Sequence, residues 1–128
     1  MANNSVITTY RRQNLCKITS GAITSLPKIT QIAFGDGGVD GSGNLVAPLG
    51  TATALKHELA RYPIDNVIYP VATTARYTVT IPTADLPGAS ISEAALVDSS
   101  GALCAINTML VKRKDDGVTF TFTFDDEF

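Results

Sequence analysis

The most regular pattern in the chain is an alternation of apolar and polar residues near its C-terminus. From Val118 to Phe124, Val118, Phe120, Phe122 and Phe124 alternate with three threonines. Successive side chains of a β-strand point to opposite faces, so this stretch predicts a strand with one apolar face. Acidic residues precede and follow it, as expected for a strand that would aggregate if it were left exposed.

A second pattern, SISEAALVDSSGALCAIN at residues 90–107, predicts a β-hairpin. Its turn runs from Asp98 to Gly101. Asp at the first turn position and Gly at the fourth favour a type I turn followed by a left-handed residue. The return strand, residues 102–107, is almost wholly apolar, which is typical of a strand buried on both faces.

Glu93 is the one residue that conflicts with the apolar pattern of this hairpin. Alternation places it on the same strand face as Ile91, Ala95 and Val97. Burying a lone carboxylate is costly. We therefore expect Glu93 to have a basic partner or to reach solvent, and we predict Arg61 or Arg76 as the partner.

The remaining pattern predicts two helices and three more strands. The first helix extends to about Thr19 from a cap at residues 4–5, with Gly21 as its stop, although β-branched residues 6–9 also fit an extended segment. A short internal helix is predicted at residues 54–62, because Leu55, Leu59 and Tyr62 follow i, i+4, i+7 spacing before a proline. The predicted strands are residues 28–34, 65–71 and 76–81, and Pro70 places the second at an edge or beside a bulge.

These elements define an α+β, mostly β fold class: an antiparallel meander or sandwich with an N-terminal helix and one short internal helix. The 128 residues suffice for one domain, residues 1–128, and 45% of them are apolar, which excludes a disordered chain. The net charge of −2 gives no general attraction to nucleic acid. The chain lacks a run of about 18 apolar residues and a basic, apolar leader, so we expect no membrane partner and no signal peptide. Cys16 and Cys104 are interpreted as free thiols.

The glycine-rich stretch GDGGVDGSG, residues 35–43, is the main candidate for ligand chemistry, and we interpret it as a surface loop. The dinucleotide fingerprint fails at Asp40, and no Walker lysine follows. An EF-hand loop fails because position 3 is Gly38 and position 12 is Ala47. We therefore expect no metal and no cofactor.

Catalytic groups are equally scarce. His57 is the only histidine, and the sequence around it lacks the second histidine of a zinc-protease helix. We interpret it as a surface or packing residue. Because no sequence pattern places a base beside a serine or cysteine, we expect that the protein is not an enzyme.

The order of the motifs resembles a known family. KITQIAFGDGG, then LKHELARYPI, then IPTADLPGASISEAALVDSSGALCAI and a final charged turn and strand are similar to the N-terminal domain of bacteriophage tail-collar fibre proteins. The resemblance covers about residues 5–124. The positions that match the family pattern are Gly35, Asp36, Gly37, Leu55, Glu58, Arg61, Glu93, Asp98 and Gly101.

The resemblance implies a structural role in the virion tail, for a protein made in the bacterial cytoplasm. Such domains join a fibre or spike to the tail or baseplate of a phage or a phage-tail-like particle, usually as homo-oligomers and often as trimers. The implied partners are other copies of the chain and other tail, baseplate or fibre proteins. The sequence departs from the family pattern in two ways. Ser92 and the pair Ala94-Ala95 replace the residues expected around Glu93, and the sequence ends at Phe128 where a fibre shaft is expected.

Two surfaces are candidates for subunit contacts. The face formed by Phe120, Phe122 and Phe124 is the first, with an intramolecular core as its alternative. Glu58 and Arg61 are the second, either as a solvated helix face or as an ion pair with Glu93 or across a subunit boundary. The alternative function is a stand-alone β-domain that binds carbohydrate or another surface ligand, but it needs exposed aromatic side chains, and the four tyrosines fall on faces predicted to be buried.

Overall fold

The computed structural model describes residues 4–128, which form eight strands and one α-helix. The elements are β1 (Ser5–Ile7), α1 (Thr9–Thr19), β2 (Ile29–Gly35), β3 (Glu58–Pro63), β4 (Asn66–Val71), β5 (Thr74–Ile81), β6 (Ser90–Asp98), β7 (Leu103–Arg113) and β8 (Phe120–Glu127). Strand accounts for 48% and helix for 9%, so the predicted α+β, mostly β class is confirmed. No helix of the described part has the length and apolar character needed to cross a bilayer.

The strands form two antiparallel sheets that face one another. The larger sheet has the order β1-β7-β6-β2-β3 and the smaller one β4-β5-β8. Phe34 of the larger sheet contacts Phe122 of the smaller sheet edge-to-face, with ring centroids 5.3 Å apart. This aromatic contact lies in the main core, which also contains Ile32, Val79 and Phe124.

A second, smaller core lies on the opposite side of the larger sheet. It consists of Ala33, Ala95, Val97, Leu103 and Ile106 together with Leu55 from the connection between β2 and β3. That connection, residues 36–57, therefore covers the outer face of the sheet. Both faces of β6 are buried for this reason.

The N-terminal helix starts later than a cap at residues 4–5 would place it. Val6 and Ile7 pair with Ile106 and Ala105 of β7, so the extended alternative for the first residues is confirmed. Thr8 is the true cap, and its side chain accepts a hydrogen bond from the amide of Arg11. The predicted stop is confirmed, because Gly21 has a left-handed φ of 85° and directly follows the end of the helix.

The predicted internal helix at residues 54–62 is wrong. Residues 58–63 form β3, which pairs with β2 through Ala33–Arg61 and Ile32–Tyr62. Residues 32–35 of β2 are buried, and their backbone groups on the side of β3 need hydrogen-bond partners. Those long-range hydrogen bonds outweigh the local helical spacing of three apolar residues.

The hairpin and the predicted strands at β2, β4 and β5 are confirmed. The return strand β7 extends to Arg113, beyond the predicted residue 107, and β8 is shifted to Phe120–Glu127 from the predicted residues 118–124. The faces of β6 need one further correction. A bulge between Ile91 and Glu93 moves Ile91 to the main core, together with Ala94 and Leu96, and away from the face of Glu93. Strand β4 is an edge strand, and its pairing with β5 is irregular between Ile68 and Val71. Both features were expected from Pro70.

Candidate functional site

Glu93 lies at the centre of the motifs that the sequence singles out. It is 2% exposed, and its carboxylate accepts hydrogen bonds from three backbone amides. Gly37 N and His57 N donate to Oε2 at 2.8 and 2.9 Å, and Lys56 N donates to Oε1 at 3.0 Å. These amides belong to the two ends of the connection 36–57, so one carboxylate holds both ends of that connection.

The predicted pairing of Glu93 with Arg61 or Arg76 is wrong. Arg61 Nε bonds Glu58 Oε2 at 2.8 Å, and Arg61 Nη1 donates to the carbonyl of Gly101 at 2.9 Å. Arg76 Nε bonds Asp125 at 2.8 Å in the other sheet. The buried carboxylate of Glu93 needs hydrogen-bond donors, and backbone amides supply them in place of the predicted arginine. Glu58 and Arg61 were also expected on a solvated helix face. They bond each other on strand β3 instead.

The glycine motif owes its composition to close packing against β6. A Cβ atom at Gly38 would lie 1.8 Å from the carbonyl oxygen of Ser92, and the Gly38 amide donates to Ser92 Oγ at 2.9 Å. The interpretation of residues 35–43 as a surface loop is therefore wrong for Gly38, which is buried. It holds for the following residues, where Asp40 is exposed and accepts hydrogen bonds from the amides of Ser42 and Asn44.

A small cavity of about 130 Å³ lies beside Glu93. Its wall combines the Glu93 side chain and Thr108 with apolar residues of the connection and of β7, among them Leu55 and Ile106. Thr108 is 4% exposed, and its hydroxyl oxygen has no hydrogen-bond partner among the described residues. A residue with a buried, unpartnered hydroxyl and a residue with a buried carboxylate therefore line the same cavity.

Asp98 organises the hairpin turn, as predicted. Its carboxylate accepts hydrogen bonds from Ser100 N at 2.9 Å, Ser100 Oγ at 2.6 Å and Tyr10 OH at 2.7 Å. Burial raises the pKa of Asp98, but these hydrogen bonds and that from the Ala102 amide outweigh it, so the net shift is downward. Gly101 follows in a left-handed conformation with φ 88°. Asp98 and Gly101 thus have structural roles in the turn.

The aromatic face of β8 lies inside the molecule. Phe122 and Phe124 are 6% and 3% exposed within the main core, and Phe120 packs against it. The intramolecular alternative for these three residues is therefore the correct one, and the prediction of a subunit contact on this face is wrong. The acidic end of the strand is tied down by Arg11, which bonds Asp126 at 2.6 Å.

Among the described helices and strands, β4 has the largest number of exposed large apolar residues. All six of its residues are exposed, and Val67, Ile68, Tyr69 and Val71 are 38%, 49%, 71% and 57% exposed. Val67 and Tyr69 line a cleft of about 400 Å³, whose other walls include Tyr10, Asn14 and Tyr77. The expectation that all four tyrosines lie on buried faces is wrong for Tyr69.

The histidine and the two cysteines are described residues that the sequence offers for nucleophilic or metal chemistry. His57 is a surface residue, as predicted, and its Nδ1 lies 2.5 Å from Asp36 Oδ1. Both cysteines are free; Cys16 is exposed, and burial raises the pKa of the Cys104 thiol to about 12. Within residues 4–128, no three His, Cys, Asp or Glu side chains come together as a metal centre would require.

Sequence reasoning missed Thr108 and Tyr69. If the two strands are paired residue by residue outward from the predicted turn, Glu93 lies opposite Asn107. A bulge between Leu96 and Val97 shifts the register, so the partner of Glu93 is Thr108. Tyr69 looked buried because it alternates with Val67 and Val71. No local pattern reveals that every residue of β4 is exposed.

Comparison of this chain with protein-family models, with curated proteins and with solved structures finds no match.

Proposed function

We propose that this protein is a structural component of the tail of a phage or phage-tail-like particle, where it joins a fibre or spike to the tail or baseplate. In this proposal it is not an enzyme, and it acts as a homo-oligomer, with a trimer favoured by the family resemblance. Its partners are copies of itself and other tail, baseplate or fibre proteins, without nucleic acid or membrane.

The observation that carries the structural role is the open edge of β4. Natural sheets protect their edges with charges, prolines or short strands, because a free edge pairs with other chains. Among the four sheet edges, β1 has three residues, β3 carries Glu58 and Arg61, and β8 ends in three acidic residues. Strand β4, NVIYPV, carries no charge and all six of its residues are exposed, so Pro70 is its one protective residue and the stretch of residues 66–69 is open to pairing.

The resemblance supplies the particle context. The glycine motif, residues 55–61 and Glu93 carry the resemblance in sequence, and Glu93 holds the first two together through backbone amides. The motifs thus form one structural unit, which supports reading them as a family framework.

Light scattering on the purified chain tests the assembly proposal. The natural chain should elute as an oligomer, and Ile68→Lys on β4 should convert it to a monomer, since a lysine on an edge strand opposes pairing. Leu110→Lys is the matched control, because Leu110 is 65% exposed on β7. A monomeric natural chain at micromolar concentration, or an oligomeric Ile68→Lys variant, would contradict the proposal.

The particle assignment needs a separate experiment. A tagged chain should co-purify with tail particles, and its gene deletion should give tails that lack the fibre or spike. Particles with complete fibres in the deletion strain would exclude the joining role.

Tyr69 favours carbohydrate binding as the second candidate function. An exposed aromatic ring beside Tyr10, Asn14 and Lys28 in one cleft is a surface on which a sugar can stack and form hydrogen bonds. A glycan array probed with the natural chain and with Tyr69→Ala distinguishes the two candidates. Binding that Tyr69→Ala abolishes supports this second function, and an array without signal removes it.

A further inference from the structure

We propose that the cavity beside Glu93 and Thr108 binds a primary alkylammonium group, the chemical group carried by a lysine side chain or a small alkylamine. This binding site is independent of the proposed assembly through β4. It is argued from three properties of the cavity: its uncompensated charge, its free acceptors and its apolar wall.

The charge comes from Glu93. Among the described residues, Glu93 forms no ion pair with a basic side chain, since the arginines that do form pairs bond Asp126, Glu58, Asp125 and Asp115. Lys56 also lines the cavity, but it is an exposed residue and its side chain is not within ion-pair distance of Glu93. A carboxylate at 2% exposure attracts a cation more strongly than one in water does.

The acceptors are two oxygens that lie on neighbouring strands. Glu93 and Thr108 are direct partners across the β6–β7 pair, and such partners have Cβ atoms about 5 Å apart. Oε1 of Glu93 accepts one hydrogen bond and Oε2 accepts two, so Oε1 has capacity for another donor. The Thr108 hydroxyl has no partner among the described residues. An ammonium carries three donors, so in our proposal it bonds both oxygens when it fills the cavity.

The rest of the wall suits an alkyl chain. Leu55, Ile106 and Ala52 belong to the second core and also line the cavity. The volume of about 130 Å³ corresponds to roughly four water molecules at ~30 Å³ each, which is close to the size of a short alkylamine. Leu49 lines the same cavity and is 64% exposed, so the wall reaches the protein surface.

Titration of the full chain with n-butylammonium chloride, followed by amide NMR, tests the site. The backbone amides of Gly37, Lys56 and His57 are the reporters, since they donate to the same carboxylate. We expect saturable shifts of these three signals. n-Butanol tests apolar filling without charge and sodium chloride tests ionic strength, and neither should reproduce the shifts.

Thr108 variants keep the proposal falsifiable without disturbing Glu93. Thr108→Val preserves the side-chain shape and should weaken n-butylammonium binding about tenfold, the size expected for a hydrogen bond to a charged group, while Thr108→Ser should retain it. Shifts that do not saturate, equal shifts with n-butanol, or unchanged binding by Thr108→Val would overturn the proposal.

A second titration separates the two sources of the ammonium group. Nα-acetyl-lysine N-methylamide presents the group as a protein does. Saturable binding of this compound supports a lysine from a partner chain. Binding of n-butylammonium alone assigns the cavity to free alkylamines, and the failure of both ligands overturns the proposal whatever the light-scattering result.

Discussion

At the scale of single residues, four buried charged side chains each have a different set of hydrogen-bond partners. Glu93 is bound by backbone amides, and Asp98 by a turn and the Tyr10 hydroxyl. Asp126 is held by both terminal nitrogens of Arg11, and Lys114 donates to the carbonyl of Thr83 at 3.1 Å. Among the described residues, Glu93 and Lys114 are bonded by backbone groups alone, and no sequence pattern identifies such partners. Lys114, in a charged stretch, shows no sign of burial in its sequence.

Gly38 should be the least replaceable glycine in the loop. Gly38→Ala places a methyl group against the Ser92 carbonyl, and we expect a loss of about 3 kcal/mol in the free energy of unfolding. Gly41→Ala is the control, because a Cβ atom there meets nothing within 4 Å. Urea unfolding measures both, and equal stabilities would disprove the close-packing explanation.

Asp98 should make folding sensitive to acid. Its folded pKa lies below the ordinary value, so its contribution to stability is present above about pH 4 and is lost as the pH falls through the folded pKa. Asp98→Asn should therefore be less stable than the natural chain at pH 7, and the difference should shrink towards pH 2. Asp116→Asn, an exposed position, is the control. Urea unfolding across this pH range gives the comparison, and a difference that does not depend on pH would contradict the assignment.

Local propensity and long-range pairing compete at the scale of the element. The strands with clean alternation formed because their pattern and their tertiary environment agree. The N-terminal helix ends at Thr19 as predicted, but it begins at Thr9 because residues 5–7 pair with β7. Residues 54–62 did not form a helix, because β2 offers hydrogen bonds from Gln31 to Gly35. Bulges in β6 changed the face of Ile91 for a similar reason: the pairing of whole strands decides the register.

Arg11 ties α1 to β8, and this contact should dominate the attachment of the helix. Arg11→Met leaves the carboxylate of Asp126, which is 1% exposed, without its partner. We expect a loss of about 3 kcal/mol in the free energy of unfolding. Arg12→Met is the matched control, one residue further along the helix and exposed. Calorimetry decides, and a similar small change in both variants would show that the pair contributes little.

The whole molecule is built around a sheet with a core on each face. Strands β6 and β7 contribute to both cores, so the main sandwich and the covered outer face should unfold together. Cys104, on β7, is 3% exposed in the main core, whereas Cys16 lies on the surface of α1. Reaction of Cys104 therefore reports on opening of the main core, whereas reaction of Cys16 reports on the exposed surface of α1.

Thiol labelling tests this cooperativity. Cys16 should react at once, and Cys104 should react only as fast as the molecule opens, because burial raises its pKa to about 12 and removes the thiolate. A Cys16→Ser variant isolates the second thiol, and its labelling should follow global unfolding in urea. Rapid labelling of Cys104 in the native state would show that the β6–β7 region opens independently.

The sequence by itself determined the parts of this protein that depend on local pattern. Alternation gave β8, the Asp-to-Gly turn gave the hairpin, and Pro70 gave the edge character of β4, since each follows from backbone geometry within a few residues. Only the tertiary structure decided the partners of Glu93, the strand at residues 58–63, the burial of the β8 phenylalanines and the exposure of Tyr69. These depend on which distant backbone groups and sheet faces meet, and that information is absent from any short stretch of the chain.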